Sequence, residues 1–176
     1  QVSPDPELGV RLRARLGELG WLAPTAPPEL GGAGLTRDHE LVIHEELARR
    51  GLGSTLEDPS LSLTRALRDR LTEDQARRVL PALNRGQTRL WHTPVEGLAD
   101  LDPATIGVRA TYDADEYVLD GDALFSGQGG EPDFLWVLAV TEAAAPRDRS
   151  TSTFLVPAGL KSISIQERRR LAHGEH

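Results

Sequence analysis

The residues best able to do chemistry in this chain lie in one stretch, Leu90-Trp91-His92-Thr93-Pro94-Val95-Glu96-Gly97-Leu98-Ala99-Asp100. An indole and an imidazole stand side by side there, followed by a Pro and a Gly that redirect the backbone. Upstream, apolar residues recur at helical spacing; downstream, they alternate or run in short blocks, as strands do. A junction between a helical and a β region, carrying an aromatic face and a titratable ring, is a natural place for a ligand. The plain alternatives are a Trp that packs between two units and a His satisfied at the surface.

Other candidate chemistry is thin. His39 and His44 are five residues apart, off the i, i+4 spacing that puts a metal pair on one helical face. Glu45-Glu46 is either an acid/base pair or a solvated helix face. Gly31-Gly32-Ala33-Gly34 has the glycines of a phosphate loop, but no strand precedes it and no Lys follows, so its expected role is backbone shape. Cys is absent, which removes disulfides, thiolate metal sites and thiol nucleophiles together.

With 176 residues, 39% of them hydrophobic, the chain can bury a core as one large domain or two small ones. The net charge of −7 comes with basic residues scattered among acidic ones, so no basic stripe matches a nucleic-acid backbone. No apolar run approaches the roughly 20 residues of a membrane helix, and the N-terminus lacks the order of a signal peptide. The expected setting is the cytoplasm. Lys161 is the one Lys among 20 basic residues, a bias that points to a GC-rich, bacterial genome.

Leu8, Leu12, Leu16 and Leu19 share one helical face, and Gly20 stands where a C-terminal glycine would. Residues 21–34 are too rich in Pro and Gly for a regular element. Thr36 reads as an N-cap before Asp38 and Glu40, opening a helix with Leu41, Val42, Leu47 and Ala48 that stops at Gly51. A third helix fits Leu61 to Arg70. Thr72-Glu73-Asp74-Gln75 is a capping box for a fourth, with Ala76, Val79, Leu80 and Leu83 at helical spacing. Next, Val108 to Tyr112 and Tyr117 to Leu119 flank a turn, Phe134 to Val140 is a continuous apolar strand, and Thr153 to Pro157 and Ser162 to Ile165 complete an antiparallel set. The expected fold class is α+β: an all-α domain over residues 1–86, then an antiparallel β domain over 87–176.

Several segments together resemble the acyl-CoA dehydrogenase family, over nearly the whole chain. Leu19-Gly20-Trp21 with Pro28-Glu29-Leu30-Gly31-Gly32-Ala33-Gly34-Leu35 is similar to its "GW…P-E-x-G-G-x-G" loop, and Glu45 to Arg49 to its "EELAR" helix. Thr72 to Gly86 resembles the segment leading into the middle domain. Tyr117-Val118-Leu119-Asp120-Gly121 resembles "Y-V-L-N-G", and Phe154-Leu155-Val156-Pro157 the later "FLVP" strand.

The resemblance implies an N-terminal helical domain, a barrel-like middle β domain and a C-terminal bundle, with FAD as cofactor and an acyl-CoA thioester as substrate. It implies α,β-dehydrogenation, in which a carboxylate base takes the α proton and the β hydride passes to the flavin. The thioester carbonyl must be polarised, because an unactivated α C–H is a very weak acid. Implied partners are acyl-CoA dehydrogenase-like subunits in a homo- or hetero-oligomer and an electron-accepting flavoprotein. No residue here takes the role of the base, and the polypeptide is expected to continue beyond His176.

The implied cofactor-binding positions are Trp91, His92, Thr93, Gly97, Leu98, Phe125, Ser126 and Gly127. "T-E-P-x-x-G-S" falls on His92 to Leu98, keeping Pro94 and Gly97 but replacing the Thr, Glu and Ser. "G-x-K-x-W-I-T-N-G" falls on Gly121 to Gly129, leaving Phe125 as an aromatic face and Gly127 without the expected hydroxyl. Ser126 substitutes only if the strand shifts by one residue, which turns its side chain to the other face. The backbone amides of residues 91–93 remain available to a flavin edge. Arg168-Arg169-Arg170 is either a CoA phosphate contact or a charged tail. Two functions stand: an FAD-dependent dehydrogenase, or a non-catalytic subunit with a degenerate flavin site beside an active paralogue. Oxygen chemistry by reduced flavin is a third.

Overall fold

The computed structural model describes residues 6–52, 59–93, 102–127, 130–146 and 149–166. Among these residues four helices come first: α1 (Pro6–Glu18), α2 (Arg37–Arg49), α3 (Pro59–Arg68) and α4 (Glu73–Asn84). Five strands follow: β1 (Leu90–His92), β2 (Val108–Asp113), β3 (Glu116–Gly121), β4 (Phe134–Val140) and β5 (Thr151–Pro157). No described helix is long and apolar enough to cross a membrane.

The helix ends follow the local signals. Gly20 lies at φ +71°, and Trp21 N–H donates to the Leu16 carbonyl, closing α1 with a left-handed cap. Thr72 and Gln75 form both halves of the capping box, with Gln75 N–H donating to Thr72 Oγ1 and Thr72 N–H to Gln75 Oε1. Thr36 precedes α2 but its hydroxyl makes no cap bond; it pairs instead with His39 Nδ1 at 2.7 Å. The inward face of α2 is Ile43 and Leu47, whereas Leu41 and Val42 are more than 60% exposed. The Pro- and Gly-rich segment contains one 3-10 turn, Pro28–Leu30, where Pro28 supplies a preset φ.

The sheet is open and mixed, where an antiparallel, barrel-like one was expected. Its order is β1-β4-β2-β3, with β5 on β4. β2 pairs antiparallel with β3 and β4 with β5, but β1 and β2 both run parallel to β4. Parallel pairing joins segments far apart in the chain, so no turn signal announces it. Ser162 to Ile165 is not a strand; Ile163 N–H closes a turn onto the Leu160 carbonyl, and its side chain packs against the sheet. Its alternation of small polar and β-branched residues reflects one packed side chain, with no ladder.

Alternation along β4 divides the core. Phe134 and Trp136 face the helices and pack with Leu67, Leu80, Leu83 and Leu90. Leu135, Val137 and Ala139 face the other way, into a cluster with Val108 and Ala110. A third cluster, Leu16, Leu22, Ile43 and Leu47, ties α1 to α2.

The β2–β3 hairpin turns through Ala114 (φ +46°) and Asp115 (φ +69°), both left-handed, as a two-residue turn of the I′ kind requires. Alanine is a poor choice there because its Cβ crowds the carbonyl. Ala114→Gly is therefore expected to stabilise the protein by about 1 kcal/mol, seen as a rise of roughly 3 °C in Tm.

Candidate functional site

The junction is built by a register lock at the foot of β1. Asp133 accepts the Arg89 N–H on Oδ2 at 2.7 Å, while the Arg89 carbonyl accepts from the N–H groups of Asp133 and Phe134. This sets Leu90 beside Phe134, Trp91 beside Leu135 and His92 beside Trp136. Successive side chains on a strand point to opposite faces, so Trp91 and His92 part company at once. Leu90 and His92 belong to the face turned toward the helices; Trp91 joins the Leu135–Val137 cluster.

Residues 125–127 meet β1 through an isolated antiparallel bridge between His92 and Ser126. His92 N–H donates to the Ser126 carbonyl at 3.0 Å, and Ser126 N–H returns a bond to the His92 carbonyl at 2.8 Å. Directly opposed residues share a face, so Ser126 lies with His92, and Phe125 and Gly127 lie with Trp91. Phe125 is half-buried in the same cluster as Trp91. A Cβ built on Gly127 would overlap Cδ1, Nε1 and Cγ of the Trp91 ring. The indole lies directly on this glycine.

Two of the three backbone amides expected to be available are engaged: His92 with Ser126, and Thr93 with the Trp136 carbonyl at 3.0 Å. Thr93 Oγ1 extends that ladder weakly, donating to the Trp136 carbonyl and accepting from Leu138 N–H, each at 3.4 Å. His92 Nδ1 lies 3.2 Å from the Thr93 carbonyl. Gly97 and Leu98, with Pro94, lie outside the described residues. An open depression of about 560 Å³, lined by Asp102, Pro103, Ala104, Arg109, Ala143 and Ala145, includes none of the implied cofactor-binding residues that are described.

Sequence reasoning missed two residues. Gly127 reads as a lost hydroxyl, yet it is the space that Trp91 needs. Asn84, absent from that reading, is the last residue of α4; it is 3% exposed and its Nδ2 donates to the Leu30 carbonyl at 2.7 Å, holding the glycine loop on α4. A polar residue directly beside the buried Leu83 was the available signal.

This helical unit packed on a mixed sheet is an architecture shared with solved acyl-CoA dehydrogenases, and the chain belongs to the acyl-CoA dehydrogenase family. Residues 5–87 match the family model for the acyl-CoA dehydrogenase N-terminal domain. Acyl-CoA dehydrogenase IpdE1 of Mycobacterium tuberculosis is 31% identical over 156 residues, covering 84% of this chain and 37% of that protein. The Tcur3481-Tcur3483 steroid ACAD is 29% identical, with a TM-score of 0.61, covering 86% of this chain and 39% of that one. A glutaryl-CoA dehydrogenase from Mycobacterium smegmatis in complex with FADH2 is 25% identical, with a TM-score of 0.65, over 91% of this chain and 40% of that one. The chain thus spans well under half the length of these relatives.

Because a relative is known with FADH2, the junction can be tested against a flavin. On the Phe125 face, the Trp91 ring covers Gly127, and its Nε1–H is buried without a partner among the described residues. On the other face, Ser126 and His92 are joined backbone to backbone. The residues present do not fit a planar ring packed on Phe125 and held by a hydroxyl at position 127.

Proposed function

We propose that this chain is a non-catalytic acyl-CoA dehydrogenase-like subunit, working in an assembly that carries out FAD-dependent α,β-dehydrogenation of an acyl-CoA thioester. Family membership supports the chemistry of the assembly, and the steroid ACAD it resembles is named for two components. The observation that carries the subunit role is the Trp91 indole seated on Gly127, which occupies the space beside Phe125. The active partner supplies the flavin, the hydride acceptor of such a reaction. Its setting is the cytoplasm, and an electron-accepting flavoprotein completes the reaction.

A second reading makes this chain an FAD-dependent dehydrogenase itself. Its support is the FADH2-bound relative, and its cofactor contacts would come from Trp91, His92, Thr93, Gly97, Leu98, Phe125, Ser126 and Gly127. Flavin stoichiometry separates the two. The chain, co-expressed with its acyl-CoA dehydrogenase-like partner, is expected to give one flavin per pair and colourless protein when purified alone. One flavin for every copy of this chain would sink the subunit reading.

A further inference from the structure

The Trp91–Gly127 contact has three properties that belong together. Gly127 is not among the glycines with positive φ, so its backbone does not require glycine. The requirement is spatial, because the three atoms nearest an added Cβ all belong to the five-membered ring of Trp91. The ring is only half-buried, and Gly127 is exposed, so the contact lies at the edge of the cluster where solvent can reach it once the ring is gone. Finally, Trp91 Nε1 is buried with no hydrogen-bond partner among the described residues. A donor in that state is unfavourable, and apolar packing alone holds the indole there. Phe125 and Ala123, on the same side, line the cluster with apolar surface.

We propose that Trp91 is an internal plug: its indole fills a slot over Gly127 that, once vacated, takes a planar aromatic heterocycle of the same breadth. Indole itself is of this class, and the broader three-ring system of a flavin tests how far the slot extends. The plug rests on the subunit reading only for its purpose, which is to keep such a ring off the Phe125 face of this chain. An indole in place of a ligand gives a closed, self-sufficient surface. Reversion to an open slot needs a single substitution, because Gly127 already leaves the floor clear.

The test is a double-mutant cycle on the purified chain, using Trp91→Ala, Gly127→Ser and the pair, read by thermal unfolding. With Trp91 present, Gly127→Ser is expected to lower Tm by about 6 °C, since the new Cβ and the ring claim one volume. With Trp91→Ala, the same change is expected to cost under about 2 °C. Millimolar indole is expected to raise the Tm of Trp91→Ala by roughly 3 °C and leave the parent chain unchanged. Quenching of FMN fluorescence by Trp91→Ala, absent in the parent, extends the slot to flavin-sized rings; indole binding without FMN quenching confines it to smaller ones. If Trp91→Ala does not fold, Trp91→Val carries the same comparisons. Equal costs for Gly127→Ser in both backgrounds, or no indole-dependent shift in the vacated variant, would overturn the plug. Flavin found on the parent chain within its assembly would overturn the subunit reading and leave the coupling as measured.

Discussion

Gly31→Ala is expected to lower the midpoint of thermal unfolding by about 10 °C, whereas Gly51→Ala lowers it by only about 3 °C. The two glycines share a left-handed backbone, φ +85° and φ +72°, so both substitutions carry the conformational cost of about 1 kcal/mol. They differ in what a side chain would meet. At Gly51 no atom of the described residues lies within 4 Å of the added Cβ. At Gly31 it would stand 2.6 Å from the Pro81 carbonyl oxygen and 2.9 Å from Pro81 Cα, both on the backbone of α4. Neither atom can swing aside as a flexible side chain would, so the loop must lift from the helix at a further cost of about 2 kcal/mol. Circular dichroism melts of the two variants beside the parent check this. Equal shifts would mean that φ alone selects glycine in this loop.

That contrast also shows what the sequence could and could not disclose. The Gly31-Gly32-Ala33-Gly34 run was legible as backbone shape because it lacks the strand and Lys of a phosphate site. The reason for the shape was not legible, since Pro81 lies far along the chain. The Thr72–Gln75 capping box could be read because its signals fall within four consecutive residues and bond to one another. The apolar run Phe134–Val140 could be read as a buried strand because both its faces are covered, by the helices on one side and the Trp91 cluster on the other. Its parallel neighbours could not, because a parallel ladder depends on partners brought together only by the fold. The same limit applied at the junction. Trp91 and His92 were adjacent in sequence and so read as one site, but strand alternation sets them on opposite faces. Gly127, read through the side chain it lacks, carried no mark of the ring that covers it.

Asn84→Asp is expected to leave stability near that of the parent at pH 4 and to open a gap of about 10 °C in Tm by pH 7.5. Asn84 sits at the end of α4 with 3% of its surface exposed, and its Nδ2 donates to the Leu30 carbonyl at 2.7 Å. Its Oδ1 is buried without a partner among the described residues. An ionised carboxylate there would face the Leu30 oxygen acceptor to acceptor and would leave water without gaining a donor. Protonated, the same group can donate to Leu30 and reproduce the native bond. Burial and the facing carbonyl therefore raise the folded-state pKa above the unfolded value of about 3.9. The folded chain then holds the proton across a range in which the unfolded chain has lost it. Stability is accordingly intact below the unfolded pKa and falls as pH rises through the folded one. Once the carboxylate is forced to ionise, the cost is about 3 kcal/mol, that of an unpaired buried charge with a lost hydrogen bond. The measurement is the difference in Tm between variant and parent across that pH range, which cancels acid effects common to both. Asn84→Ala, which loses the bond but carries no charge, should show a gap that does not vary with pH. A pH-independent gap for Asn84→Asp as well would mean that water reaches this position, and that the loop is held to α4 by glycine packing without the Asn84 clamp.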